Sequence, residues 1–245
     1  MAIHIDKEKL IFHLQGSNTS YVMQVIRDGY LAHLYWGKKI RNYRGSNKII
    51  FMDRGFSPNP DGSDRAFSLD TIPQEYPSFG NSDFRIPAYQ LQLENGSTVT
   101  DFRYKEHRVY QGKPKLKGLP STYAEDAGEV ETLEIVLEDP LIDVKVVLSY
   151  SLYQKRDVIT RSVRFDNEGP QQLKLLKALS ASVDFRDDEY ELITLYGAHN
   201  NEKNIARRKI LPGIQMVDSC RGASSPQQAP FMALVREGTD DEQGE

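Results

Sequence analysis

Proton transfer, metal ligation and nucleophilic attack draw on a short list of side chains. Here the list holds five histidines (His4, His13, His33, His107 and His199), a single cysteine, Cys220, and the adjacent carboxylates Asp187-Asp188 and Asp240-Asp241. The histidines fall in different strands and turns, so each reads as a surface or half-buried strand residue. No Cys/His set has zinc-ligand spacing, no glycine-rich phosphate loop is present, and no Gly-x-Ser-x-Gly elbow occurs. Neighbouring carboxylates on a strand point to opposite faces, so adjacency does not make a catalytic dyad. Residue types and spacing alone define no catalytic residue, no metal site and no cofactor.

The elements that would have to position any site are strands. Leu10, Phe12 and Leu14 alternate before a turn at Gln15-Gly16-Ser17-Asn18. Residues 21–26 and 30–35 flank Asp28-Gly29, and residues 89–93 and 99–104 flank Asn95-Gly96; both are hairpin signals, because the central residues tolerate positive φ. Residues 130–137 run into Asp139-Pro140, after which Ile142, Val144, Val146, Leu148 and Tyr150 recur with period two, as one face of a long strand does. Residues 158–165, 172–179 and 190–196 continue the series, with turn chemistry at Asn167-Glu168-Gly169-Pro170. Residues 171–181 fit a strand better than a helix. Arg207-Arg208-Lys209 reads as a solvated loop. Many short strands at regular spacing predict an all-β protein built as a large antiparallel two-sheet sandwich, since one flat sheet of that size would curl or split.

One stretch breaks the pattern. Residues 53–87 hold five prolines and three glycines, yet also Phe56, Phe67, Leu69, Ile72, Tyr76, Phe79 and Phe84. A flexible linker is rich in Ser and Gly and poor in aromatics, so this loop is predicted to be ordered against another domain, another subunit or its own sandwich. At the other end, residues 231–235 read as a buried strand followed by a polar turn with no returning partner.

Composition excludes several classes. The 245 residues suffice for one large β domain or two smaller ones. A net charge of −4 gives no attraction to nucleic acid or anionic membranes. One cysteine excludes an internal disulfide framework and suits a reducing compartment. The first residues lack a basic, then apolar, leader, and no apolar run reaches the ~18 residues that span a bilayer. The expectation is a soluble, cytoplasmic protein.

Resemblance adds what spacing does not. Thr19-Ser20-Tyr21-Val22-Met23 and Leu34-Tyr35-Trp36-Gly37-Lys38-Lys39-Ile40 resemble the start of family 36 glycoside hydrolases, the bacterial α-galactosidases. So do Ser68-Leu69-Asp70-Thr71-Ile72-Pro73-Gln74-Glu75-Tyr76-Pro77, Asp83-Phe84-Arg85-Ile86-Pro87-Ala88, Arg221-Gly222-Ala223-Ser224-Ser225 and Pro230-Phe231-Met232-Ala233-Leu234, in the family's order. The resemblance implies that residues 1–245 form an N-terminal β-supersandwich of galactose mutarotase-like fold, C-terminally incomplete, with the catalytic (β/α)8 barrel and C-terminal β-domain absent. It implies a retaining enzyme that removes terminal α-galactose from melibiose- and raffinose-type sugars, using two aspartates of the barrel roughly 5 Å apart. Neither lies in this chain, which on this reading is inactive alone.

The same resemblance implies a homotetramer in which a loop of this domain reaches a neighbouring subunit's active-site mouth. Asp53 falls where the family places a sugar-contacting carboxylate, Arg65 is a candidate partner that would orient or neutralise it, and Ala198 and His199, in Tyr196-Gly197-Ala198-His199-Asn200, form a second contact region. Relatives often carry Trp at the His199 position, His at the Pro226 position and Asn at the Ala229 position, and the change at His199 touches substrate preference. Purely structural readings stand beside these: Asp53 a strand-end turn residue, Arg65 a surface ion pair, His199 a turn residue. Two other classes compete with the enzyme part. One is a free-standing carbohydrate-binding or assembly module, which exposed aromatic platforms would favour, although Trp36 sits in a strand pattern and reads as core. The other is a mutarotase-type epimerase, which needs a His and a Glu together in one cleft.

Overall fold

A computed structural model describes residues 2–45, 49–118, 121–185 and 187–240. The chain divides into two compact units, Met1–Asp184 and Phe185–Glu245. The described residues contain strands and single 3-10 turns and no α-helix. The all-β, antiparallel expectation holds.

The first unit opens with a four-stranded antiparallel meander, β1 (Ile3–Asp6), β2 (Ile11–Gln15), β3 (Thr19–Val25) and β4 (Leu31–Lys38), in that spatial order. Asp28 (φ 59°) and Gly29 (φ 88°) turn the chain between β3 and β4, so both residues adopt the conformation that their types tolerate. β5 (Tyr89–Gln92) comes next, and then a second meander of β6 (Arg103–Gln111), β7 (Glu131–Asp139), β8 (Val144–Tyr153) and β9 (Val158–Asn167). β5 pairs with β10 (Lys174–Ala178).

Alternation decides which side chains meet. Phe12, Leu14, Tyr21 and Met23 of the first sheet pack with Leu133, Ile135, Val146, Leu148 and Tyr150 of the second, all buried in one cluster. The period-two face read along 142–150 is therefore the core face of β8. Each fully buried side chain of this size contributes about 1.5–3 kcal/mol. The opposite face of the first sheet carries Ile11, Val22, Tyr30, Ala32 and Leu34, and this face is covered by Phe67, Leu69 and Ile72. The long proline-rich segment thus packs on its own sandwich, the simplest of the three outcomes open to it. It also extends the sheet: His33 N donates to Pro73 O at 2.7 Å, Glu75 N donates to Leu31 O at 3.0 Å, and Ala32 bridges Gln74.

The second unit is a three-stranded sheet, order β12-β11-β13, formed by β11 (Glu191–Ala198), β12 (Asn201–Lys209) and β13 (Gln228–Val235).

Several local readings are corrected. Asn95-Gly96 does make a turn, closed by Leu93 N to Ser97 O at 2.9 Å, but the flanking segments do not form a hairpin. The chain beyond the turn is captured by the second sheet instead, where Asp101 N donates to the Asp139 carboxylate at 2.8 Å; a side-chain bond between Thr100 and the Tyr89 hydroxyl is what links it back to β5. Arg207-Arg208-Lys209 lies on β12 and is no loop. Phe231 and Met232 of β13 are exposed rather than buried, and that strand pairs with β11. Trp36 is 52% exposed and not core. His13 and His33 are buried, because their strand faces turn into the packed layers. Residues 241–245, Asp241 among them, lie outside the described residues.

Candidate functional site

Two arrangements stand out in the first unit, one exposed and one buried. The exposed one lies where the long segment begins. Arg65 Nη2 and Asp53 Oδ1 are 3.2 Å apart, with the side chains 68% and 55% exposed. A pair this open to water contributes little to stability, so its carboxylate and guanidinium stay available to a polar ligand. What holds the surrounding loop is a set of more sheltered polar links. Arg54 Nη2 bonds Asp70 at 2.7 Å and Ser57 Oγ at 3.0 Å, and Asn59 Nδ2 donates to the carbonyls of Arg65 (3.1 Å) and Phe67 (2.7 Å). Ser68 Oγ donates to the carbonyl of Pro58, and Arg27 Nη1 bonds Asp64 at 2.8 Å while its guanidinium lies over the Phe51 ring. Phe67 and Leu69, buried against the first sheet, root this frame in the core.

Next along the same segment is the buried arrangement. Glu75 is completely buried; its carboxylate accepts from Tyr21 OH at 2.7 and 2.9 Å, from Tyr150 OH at 2.8 Å, and lies 3.2 Å from His33 Nδ1. Arg161 Nη1 is 3.0 Å from Glu75 Oε1, off the hydrogen-bonding direction, while Nη2 donates to the Glu75 carbonyl at 3.3 Å. The rings of Tyr150 and Tyr76 flank the guanidinium at 4.9 and 5.5 Å. Burial alone would favour the neutral acid. Arg161, with the bonds from His33 and Tyr21, outweighs it and holds Glu75 below the usual carboxylate range. Burial, then the Glu75 charge, pushes the Tyr21 hydroxyl well above its ordinary value.

This is the His–Glu pair that a mutarotase-type epimerase needs, but in the wrong setting. His33 is 5% exposed and Glu75 not at all, and the carboxylate's acceptor directions are taken by protein groups. A sugar has no approach, so the pair is an internal anchor and not an acid–base couple in a cleft. Sequence reasoning missed it, although one signal was present. Arg161 alternates with Ile159, Val163 and Phe165, which pack against the core, so a charge at that position needs a buried partner.

Ala198 and His199 belong to the second unit. β11 ends at Ala198, which pairs with Asn201, so His199 and Asn200 form a two-residue hairpin tip, with Asn200 at φ 63°. Ala198 and His199 are both exposed. A Cβ on Gly197 would collide with the Asn201 carbonyl oxygen, which makes glycine a requirement of the bulge preceding the tip. The structure therefore brings Asp53 and Arg65 together and sets Ala198 and His199 side by side on a separate element. Among the described residues no group of three or more His, Cys, Asp or Glu is placed to hold a metal ion, and no helix is long and apolar enough to cross a membrane.

The fold and the site define the class as an all-β, antiparallel sandwich carrying an ordered surface loop. Residues 29–245 match the model of the glycosyl hydrolase family 36 N-terminal domain, and the chain belongs to that family. It is 58% identical over 245 residues to alpha-galactosidase AgaA of Geobacillus stearothermophilus, covering 100% of this chain and 34% of that relative. It is 41% identical over 244 residues to alpha-galactosidase Mel36A of Lactobacillus acidophilus, covering 99% of this chain and 33% of that protein. The crystal structure of AgaA superposes with a TM-score of 0.92 at 59% identity, over 96% of this chain and 33% of that one. The chain thus spans about a third of the length of these two relatives.

Proposed function

We propose that this chain is the N-terminal part of a retaining α-galactosidase that hydrolyses terminal α-galactose from melibiose- and raffinose-type oligosaccharides. In this reading the enzyme is a cytoplasmic homotetramer, and this part serves assembly and the rim of a neighbouring subunit's substrate site. Asp53, Arg65, Ala198 and His199 are the rim contacts, and chemistry belongs to carboxylates outside these residues.

The observation that carries the reading is the Asp53–Arg65 pair, left open to water on a loop whose surroundings are rigidly fastened. A carboxylate so placed accepts two sugar hydroxyls, and charge-assisted bonds of that kind are the stronger ones. The relatedness supports the substrate class: AgaA structures hold raffinose in one case and stachyose in another. The isolated chain is expected to release nothing from an aryl α-galactoside, whereas the complete enzyme turns it over. Turnover by the isolated chain overturns the assignment of chemistry to another part.

A second reading, a free-standing saccharide-binding module, draws on the exposed rings of Trp36 and Phe56. Raffinose titrated into the isolated chain separates the two: saturable binding without any catalytic part favours the module.

A further inference from the structure

Phe56 combines two features that rarely occur together. Its side chain is entirely exposed, and its backbone sits at φ 60°. Among the described non-glycine residues with positive φ, Leu10 and Phe56 are the apolar ones, the rest being Asp, Asn, Ser and Lys. Leu10 is only half-exposed, next to the core of the first meander. Phe56 occupies the third position of a turn closed by Ser57 N to Arg54 O at 3.4 Å, a place where positive φ calls for glycine. The glycine stands one position earlier, at Gly55, where φ is not positive and no atom comes within 4 Å of an added Cβ. Exchanging the two residue types would relax the turn without a clash. A bulky residue in the left-handed region costs of order 1 kcal/mol or more, and no burial of the ring offsets it.

The turn is also held in place. Arg54, its first residue, is tied to Asp70 and to Ser57 Oγ, which closes the turn, so the ring projects from a fixed base. Three residues before Phe56 stands Asp53, paired with Arg65. A carboxylate and a guanidinium with an aromatic ring on the same loop are groups that saccharides use: hydroxyls bond the charges, and the C–H face of a pyranose covers the ring. Exposed Phe84 and Ile86 also adjoin a charged pair, Asp83 and Arg85, but there the carboxylate is buried and already bonded by Arg85 and Gln74, whereas Asp53 is open to water.

We infer that Phe56 is a specificity-determining residue of the rim site, its ring stacking on a sugar residue of an oligosaccharide α-galactoside whose hydroxyls are bound by Asp53. The inference rests on the rim-site reading of Asp53. It assigns the strained turn a purpose, which is to present a ring that the fold does not otherwise use.

The test uses the complete enzyme with Phe56→Gly, Phe56→Trp and Asp53→Asn, assayed on raffinose and on an aryl α-galactoside, together with thermal unfolding and native size. Phe56→Gly removes the strain and the ring together. Its unfolding midpoint should hold or rise, and its KM for raffinose should rise about tenfold with little change for the shorter aryl substrate. Phe56→Trp should restore the raffinose KM. If Phe56→Gly leaves that KM unchanged while Asp53→Asn raises it, the inference falls and the rim site stands. If Phe56→Gly raises it and Asp53→Asn does not, the stacking role stands and the Asp53 contact falls. A change in native size with Phe56→Gly makes the ring a subunit contact and overturns the inference.

Discussion

Arg161 on β9 and Glu75 on the long segment meet with Nη1 and Oε1 3.0 Å apart in a space closed by Tyr21, Tyr76 and Tyr150. They come from the second sheet and from the loop that edges the first, so one contact ties loop and both sheets together. Removing one partner of a buried pair leaves the other charge unmatched, at a cost of about 3–5 kcal/mol. Glu75→Gln should lower stability by that amount in denaturant unfolding. Glu75→Gln combined with Arg161→Met should recover part of it. Equal stability of Glu75→Gln and the natural chain removes the anchor role.

Acid should unfold the protein in two stages. His13 is held below its usual 6.5 by burial, then by His4 and Lys39, and His107 is lowered by burial and Lys7. Histidines with depressed values stabilise the fold fully above 6.5 and less as the pH falls through their folded values. Glu75, depressed from 4.5, contributes above that value and loses its contribution as pH falls through its lower folded value. Asp184 is raised from 3.8 by burial, so it works in the opposite sense and partly offsets the loss at the acid end. The thermal midpoint, followed from pH 7.5 downwards, should decline below 6.5 and again below 4.5. His13→Leu should shrink the first step, and a midpoint flat between those two values contradicts the histidine assignment.

Asp53 should separate binding from stability. Because its pair with Arg65 is exposed, Asp53→Ala should change unfolding free energy by less than about 1 kcal/mol. In the complete enzyme it should lower kcat/KM for raffinose roughly tenfold, the worth of a charge-assisted bond. Wild-type kinetics in this variant refute the contact.

The hairpin tip that carries His199 depends on Gly197. A Cβ there would meet the Asn201 carbonyl oxygen and come within 2.9 Å of Glu202 Cα, both backbone atoms that cannot step aside. Gly197→Ala should cost about 1–3 kcal/mol and speed amide exchange through the 198–204 region. Unchanged exchange there would show that the bulge can absorb a methyl group.

What the chain determined by itself is everything governed by near neighbours. The alternation along 142–150 follows from the period of a strand, and Asp28-Gly29 turns because both residues accept positive φ, so these features were legible residue by residue. The family motifs were equally local. Tertiary structure decided the rest, because it depends on which distant surfaces meet. β5 lies beside a plausible hairpin partner in sequence, yet it pairs with β10, while the segment after Asn95-Gly96 bonds the second sheet through Asp101 N to Asp139 and continues into β6. Glu75 and Arg161, 86 residues apart, carry no mutual spacing signal, and only the stacking of the sheets brings their charges together away from water. Asp53 and Arg65, twelve positions apart by their numbering on one loop, lie between these cases. Their residue types allowed a pair, and the packing of Phe67 and Leu69 beneath the loop decided that it would form in the open, where a ligand can reach it.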